Sequence, residues 1–217
     1  MENRKHTSLK DLAQALGVSI PTVSRALKDS PEISRELCAK AKALAKEMNY
    51  RPNPFAMSLR KNAPRIIGVV VPDIVTHFFA SILNGIENMA IANGYFVIIT
   101  TSHESYEHEK RNIENLVNMR VEGIIACLSQ ETTDFSHISA LKDINMPLIL
   151  FDRVCLTDQF SSVIADGAQS AQMATQHLLD NGSERVAFIG GANHLDIVKR
   201  RKHGYLEALR ENRIPIE

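Results

Sequence analysis

The stretch SLKDLAQALGVSIPTVSRALK, residues 8–28, constrains the fold of this chain more than any other segment. Ser8 can cap a first helix, and Gly17 stands where a helix terminator belongs. Ser19 can cap a second helix, whose first turn accommodates Pro21 because no amide hydrogen is needed there. Apolar residues recur at helical spacing between the first cap and the terminator, namely Leu9, Leu12, Ala13 and Leu16. The pattern predicts two short helices joined by a tight turn.

The second of these helices has one apolar face and one polar face. Val23 and Leu27 are four residues apart, so they face the first helix. Five other side chains then point outward: Ile20, Pro21, Thr22, Ser24 and Arg25. This layout is typical of a helix-turn-helix that offers its second helix to a DNA major groove. Any two amphipathic helices joined at a glycine would give a similar pattern, and that alternative stays open at this point.

The distribution of charge supports the nucleic-acid interpretation, although the total does not. The chain has 25 basic and 25 acidic residues, but residues 1–62 carry 12 Lys and Arg against 6 Asp and Glu. The remainder carries 13 against 19, so a head of net charge +6 precedes a body of net charge −6. A basic head on an acidic body is the electrostatic pattern of a DNA-binding module attached to a second domain.

A third helix is predicted over residues 34–48, with Ser34 as its cap. Two prolines, Pro52 and Pro54, then open a segment in which Ala56, Leu59 and Arg60 stand at partial helical spacing. A helix of one and a half turns is marginal in water. Composition alone leaves two interpretations of residues 50–63, a plain interdomain linker and a short, marginal helix.

Several motifs together resemble the lac repressor and galactose repressor family of bacterial transcription regulators. The resemblance runs through essentially the whole chain. The residues that carry it are Leu9-Lys10-Asp11-Leu12-Ala13, Gly17-Val18-Ser19, Thr22-Val23-Ser24-Arg25, Tyr50-Arg51-Pro52-Asn53 and the segment 56–59.

The resemblance implies roles for the residues of the head. Ile20 and Pro21 match the two variable positions that set operator preference, and both can contact thymine methyl groups. Arg25 would read a guanine edge or contact a phosphate. Residues Ser19, Thr22 and Ser24 would bind phosphates. The segment that includes Asn53, Ala56, Leu59 and Arg60 would be a hinge helix whose Leu59 wedges into a minor-groove step and bends the DNA. Met57 departs from the arginine that the family often has at that position.

The acidic body alternates strand and helix patterns, which predicts a doubly wound parallel sheet. Expected strands span 66–71, 95–100, 123–128, 147–151, 162–165 and 185–190. Expected helices span 78–92, 107–119, 135–144, 168–179 and 199–212. The fold class is therefore an all-α helix-turn-helix head plus an α/β domain, which the resemblance identifies as periplasmic-binding-protein-like, type I, with an incomplete second lobe.

Rival functions find little support in the sequence. No G-x-G-x-x-G follows a strand, and no P-loop or nucleophile elbow occurs, so an enzyme is not expected. The N-terminus lacks an apolar signal region and no run reaches membrane length, which favours a cytoplasmic protein over a free sugar-binding protein of the periplasm. The three cysteines and eight histidines show no ligand spacing, so we expect no metal and no cofactor.

Ligands of such sheets bind beyond the carboxyl ends of the strands. The polar and aromatic residues at those ends are Asp73, Phe78, Phe79, Ser102, Asp152, Arg153 and Asp166. The resemblance adds Arg201, through Arg201-x-x-Gly204-Tyr205, and implies that an aromatic near Phe78 stacks on a sugar or base. Each has a structural alternative: Asp73 could cap a helix, Asp152 and Arg153 could pair, and either phenylalanine could be core.

The sequence thus predicts four parts: a DNA-binding domain (1–49), a hinge (50–63), a first effector lobe (64–166) and part of a second lobe (167–217). The expected function is a repressor that binds a pseudo-palindromic operator in double-stranded DNA as a homodimer and responds to a small molecule such as a sugar. The alternative is a sugar-binding protein without a DNA role. The family's sensor has two lobes, so the chain is expected to be either a piece of a longer protein or a short variant.

Overall fold

A computed structural model describes residues 7–50 and 65–216. Contacts between residues divide the chain into two compact units, residues 1–62 and residues 63–217. The first unit contains α1 (Leu9–Leu16), α2 (Ile20–Ala26) and α3 (Arg35–Glu47). None of the helices in the described parts is long and apolar enough to cross a membrane.

The caps of the first unit form as predicted from the sequence. The Ser8 hydroxyl accepts the Asp11 amide at 3.3 Å while the Asp11 carboxylate accepts the Ser8 amide at 2.8 Å, a reciprocal capping box. Gly17 ends α1 with φ 65°, the left-handed region that costs glycine no steric strain. Ser34 caps α3 through the Leu37 amide. Buried Leu12, Ala13, Val23 and Ala45 form the main core of this unit.

The second unit is built on five strands, all parallel: β1 (Ile66–Val71), β2 (Phe96–Thr101), β3 (Gly123–Ala126), β4 (Leu148–Phe151) and β5 (Ser161–Val163). The order is β2-β1-β3-β4-β5, so the chain moves outward in one direction from β1 to β2 and in the other from β3 onward. The doubly wound parallel sheet is therefore confirmed.

Helices cover both faces of this sheet. The helix after β1, α4 (His77–Ala92), packs through Phe79 and Leu83 against one face. Two later helices, α5 (Tyr106–Asn118) and α6 (Ser136–Asp143), pack against the other face. These opposite placements follow from right-handed crossovers that run in opposite directions along the sheet. The reversal between β1 and β3 is the place where such folds open a ligand crevice.

The chain continues into α7 (Gly167–Asp180) and α8 (Asp196–Glu211), which pack closely on each other. Gly204 on α8 makes this approach possible: a Cβ there would lie 1.9 Å from the carbonyl oxygen of Ala168. Tyr205 stacks on Phe188 with ring centroids 5.4 Å apart, and its hydroxyl donates to the Val186 carbonyl at 2.8 Å. These contacts fix the segment between the two helices.

The strand predicted over residues 185–190 does not form, and that prediction is wrong. The segment has no strand pairing in the structure, and Ile189 is 97% exposed. A β-strand satisfies its backbone only through a neighbouring strand. Within the described residues, no further strand of a second sheet is available to pair with it. The β-rich sequence of 185–190 is therefore left in an irregular conformation.

Candidate nucleic-acid interface and effector cleft

The outer face of α2 is exposed while its inner face is completely buried. Val23 and Ala26 have no exposed surface, because they pack into the cores of the head. On the opposite side, Ser19, Ile20, Pro21 and Arg25 are exposed, and Thr22 and Ser24 are partly exposed. The structure thus brings the six predicted DNA contacts of this helix onto one accessible surface.

The start of α2 is fixed by its own side chains. The Ser19 hydroxyl accepts the Thr22 amide at 3.3 Å, and the two hydroxyls of these residues lie 2.8 Å apart. Pro21 occupies the first turn, where it fixes the backbone without removing a helical hydrogen bond. A helix so anchored presents its N-terminal residues in one orientation, as docking into a major groove requires.

Arg25 lies beside an acidic residue that the sequence analysis did not single out. Its guanidinium Nη1 donates to Glu32 Oε2 at 2.8 Å, and both side chains are more than half exposed. Glu32 belongs to the loop between α2 and α3. An exposed ion pair of this kind stabilises a fold by at most about 1 kcal/mol. It does set the resting position of the arginine. The hinge residues Asn53, Ala56, Leu59 and Arg60 lie outside the described residues.

The residues after β1 divide between core and surface. Phe79 is buried against the sheet and meets Phe151 edge-on, whereas Phe78 is 50% exposed. Asp73 accepts the Val75 amide at 2.9 Å, so it fixes its own loop and does not cap α4. Of the two aromatic candidates, the exposed Phe78 is the one that a ligand could reach.

Three charged candidates gather beyond β4 and β5. Asp152 follows β4, Asp166 caps α7 by accepting the Gln169 amide at 3.0 Å, and Arg201 packs against Gly167. Burial raises the pKa of the half-buried Asp152 carboxyl above its usual value, although the charges of Arg153 and Arg201 oppose this. Arg201 is exposed, so its guanidinium is available to a ligand.

Ser102 and Arg153 are occupied by protein partners. Ser102 has no exposed surface, and its hydroxyl accepts the Ser129 hydroxyl at 2.7 Å. Arg153 pairs with Glu104 at 2.6 Å and not with Asp152. Burial lowers the pKa of Arg153, whereas the hydrogen bond that Arg153 donates to Glu104 raises it, and on balance the pKa is raised. Ser102 is thus enclosed by the protein, whereas Arg153 is only partly buried.

The turns after β2 and β4 have an unusual backbone. His103 and Glu104 after β2 have φ of 52° and 61°, and Asp152 after β4 has φ 57°. Non-glycine residues rarely adopt this left-handed region unless the surroundings hold them there. The candidate site is therefore built on turns that bend sharply at the carboxyl ends of the strands.

A cavity of about 270 Å³ lies between the ends of β3 and β4 and the start of α8. Of the eight predicted effector residues, only Arg153 lines it. The other polar residues of its wall are Ser129, Thr132, Thr157, His194, Asp196, Lys199 and Arg200. His194 Nε2 donates to the Gln130 carbonyl at 2.7 Å and joins the segment before α8 to the turn after β3.

A buried carboxylate behind this turn was missed by the sequence analysis. Glu109 on α5 has no exposed surface, and its oxygens accept from Ser129 N–H, from the Thr132 hydroxyl at 2.9 Å and from His137 Nε2 at 2.9 Å. Its position could have been found, because Glu109, Ile113 and Leu116 share one helical face. An acidic residue in such a stripe indicates a buried partner.

Two family models match the chain in succession. The model described as bacterial regulatory proteins, lacI family, matches residues 8–53. The model described as periplasmic binding proteins and sugar binding domain of LacI family matches residues 65–217.

The similar proteins that carry names are bacterial regulators. The catabolite control protein A of Priestia megaterium is 31% identical over 216 residues, which cover 97% of this chain and 63% of that protein. The ribose operon repressor of Bacillus subtilis (strain 168) is 31% identical over 210 residues, with coverages of 97% and 62%. The chain thus spans somewhat less than two thirds of the length of these relatives.

Solved structures agree with the fold. The lac repressor dimer bound to operator and the anti-inducer ONPF superposes with a TM-score of 0.78 at 26% identity, over 97% of this chain and 64% of that one. The transcription regulator CcpA of Lactococcus lactis gives a TM-score of 0.65 at 28% identity, over 70% of this chain and 55% of that one.

Proposed function

Because this chain belongs to the LacI/GalR family of bacterial regulatory proteins, we propose that it is a sequence-specific DNA-binding transcription regulator and acts as a repressor. We propose no catalytic role, since the relatives are regulators and not enzymes. A regulator of bacterial genes works where the DNA is, so the proposed location is the cytoplasm.

One observation carries this proposal: α2 buries Val23 and Ala26 completely while it exposes Ser19, Ile20, Pro21 and Arg25. In the proposed complex, the apolar pair Ile20 and Pro21 contacts base edges in the major groove. Arg25 reads a guanine. Hydroxyl groups of Ser19, Thr22 and Ser24 contact phosphates and fix the register of the helix.

We further propose that the protein acts as a homodimer. A dimer places two recognition helices on half-sites about 34–36 Å apart or at a compatible bent spacing, so the operator should be a pseudo-palindrome. Within this proposal the hinge, residues 50–63, includes Asn53, Ala56, Leu59 and Arg60, and Leu59 is the wedge at the central step.

The effector in this proposal is a sugar or a related small molecule held beyond the strands of the first lobe. The direct contacts are Asp73, Phe78, Asp152, Asp166 and Arg201. The buried candidates Phe79 and Ser102 support them from behind, and the partly buried Arg153 lines the cavity beside them. The lobes are residues 64–166 and 167–217. A ligand between them would change their relative position and so couple its own binding to that of DNA, with equal effects in both directions.

The test is selection of bound duplexes from a random DNA pool at two salt concentrations. The parent chain should enrich a palindrome, and its affinity should fall steeply with salt. Arg25→Ala should lower affinity by about 1–3 kcal/mol and relax one base position in each half-site. The matched control is Lys40→Ala, which removes an exposed cation of α3 that pairs with Glu36.

Leu59→Ala tests the hinge in the same selection. It should abolish the preference for the centre of the palindrome and leave the half-sites recognisable. A folded chain that binds no DNA at either salt concentration would contradict the proposed function. It would leave the alternative, a sugar-binding protein without a DNA role, as the function to examine.

A further inference from the structure

The turn after β3 is held by a carboxylate that reaches it from another element. Residues 129–132 form a β-turn, closed by a hydrogen bond from the Thr132 amide to the Ser129 carbonyl at 3.1 Å. Glu109 on α5 accepts from the amide of Ser129 with one oxygen and from the hydroxyl of Thr132 with the other. A single buried side chain thus fixes the first and the last residue of the turn.

Burying a carboxylate this completely is costly. An ionised group without exposed surface loses its hydration, and only good hydrogen bonds offset that loss. Glu109 has three donors, the third being Nε2 of His137 at 2.9 Å. The ring of His137 is itself buried and meets the Tyr106 ring edge-on, with centroids 5.3 Å apart. An apolar residue at position 109 would fill the α5 stripe without this cost, but it would leave the turn unsupported.

The same turn is the place where the segment before α8 touches the first lobe. Gln130, at the tip, accepts from His194 Nε2 at 2.7 Å through its carbonyl. Its amide donates to Glu104 at 2.7 Å, and Glu104 in turn pairs with Arg153. Ser129 and Thr132 line the cavity that lies between the turn and α8. On its buried side the turn is therefore held by Glu109 of α5, and on its outer side it is contacted by His194, in the segment before α8.

We propose that Glu109 is a positioning residue of the effector cleft: it fixes the 129–132 turn as the docking point on the first lobe for the segment that leads into α8. This inference rests on the proposed function, because a cleft between two lobes has a role only if a ligand changes their relation. Its test nevertheless needs neither DNA nor effector.

The experiment is hydrogen exchange of the full chain, followed by mass spectrometry. Glu109→Gln keeps the shape of the side chain but removes its charge, so the turn loses its hydrogen bonds to a charged acceptor. We expect exchange of residues 128–132 to rise about 10- to 100-fold, the effect of one such bond. The exchange rate of residues 192–199 should rise as well, whereas β1 and the later turns of α5 should keep their protection from exchange.

Glu114→Gln is the matched control, since Glu114 is exposed on the same helix. It should leave both segments unchanged. A His194→Ala variant completes a double-mutant cycle. It should raise exchange in residues 192–199 alone, and adding Glu109→Gln should not raise exchange there further, because the contact is already lost.

Two results would overturn the proposal. If Glu109→Gln raised exchange uniformly through the sheet and α5, Glu109 would be an ordinary core residue. If residues 192–199 kept their protection, or if the effects of the two variants added there, the turn would not be their docking point. Both results leave the DNA-binding proposal untouched, so the two proposals fail separately.

Discussion

Gly204 is the position where a single methyl group should do the most damage to the second unit. In Gly204→Ala the new Cβ would lie 1.9 Å from the Ala168 carbonyl oxygen and 3.0 Å from the Gln172 amide nitrogen. Both atoms belong to the backbone of α7, so no side chain can rotate away. The helices must separate until the closest distance rises from 1.9 Å to at least 3.0 Å.

Two opposing effects set the magnitude. Overpacking costs about 1–3 kcal/mol, with backbone clashes at the upper end. Alanine in a helix interior returns about 1 kcal/mol relative to glycine. The net loss should therefore be about 2 kcal/mol for the α7–α8 pair. Since 1.4 kcal/mol corresponds to a factor of ten, hydrogen exchange within α7 and α8 should accelerate about 30-fold.

The control for this variant is Gly85→Ala on α4. Gly85 is exposed, and a Cβ there would meet nothing within 4 Å. This change should stabilise its helix by about 0.5–1 kcal/mol, because only the backbone entropy changes. If Gly204→Ala kept the parental exchange rates in both helices, the close approach of α7 and α8 would be refuted.

Three further predictions concern charged groups and thiols. Burial raises the pKa of Asp152, so the folded chain holds that proton more tightly than the unfolded chain does. Stability is therefore lost as the pH rises through this pKa. Asp152→Asn should raise the urea midpoint of unfolding at pH 7 and hardly change it near pH 3. Burial raises the pKa of Cys127 and of Cys155 to about 12. Neither thiol should therefore react with a disulfide reagent at pH 8 until urea unfolds the chain. Fast labelling of either thiol in the native protein would contradict this prediction. Glu32→Gln removes the anion that pairs with Arg25, so the affinity for DNA should increase at low salt. A gel-shift titration measures this affinity. Weaker binding by the variant would show that Glu32 instead orients the arginine for DNA.

The head was predictable from its sequence because its signals are local. Ser8, Gly17, Ser19 and Ser34 each act on amides or carbonyls within a few residues, so their effect does not depend on distant parts of the chain. The strands of the first lobe were predictable for a related reason. Each of their apolar runs has a helix before or after it, and that alternation allows few topologies.

Predictions were less accurate where a residue's conformation or contacts depend on residues far away in the sequence. The 185–190 run has β-forming residues, yet strand formation needs a neighbour that no local pattern encodes. Similarly, the sequence placed Ser102 and Phe79 at the correct edge of the sheet but could not tell which side chains face the protein interior. Whether these two residues act in effector binding stays a prediction. The helical stripe indicates that Glu109 is buried, but it does not identify the hydrogen-bond donors, which lie 20 to 28 residues away in the sequence.

The left-handed residues after β2 and β4 have a consequence for laboratory evolution of this protein. Asp152, with φ 57°, occupies a conformation that glycine adopts without penalty and that costs other residues about 1 kcal/mol. A library screened only for heat resistance should therefore enrich Asp152→Gly, which relieves the left-handed backbone and removes the half-buried carboxyl. Such a variant would gain thermal stability and lose a carboxylate that we propose contacts the effector. Screens for robustness in this scaffold need a binding readout from the first round.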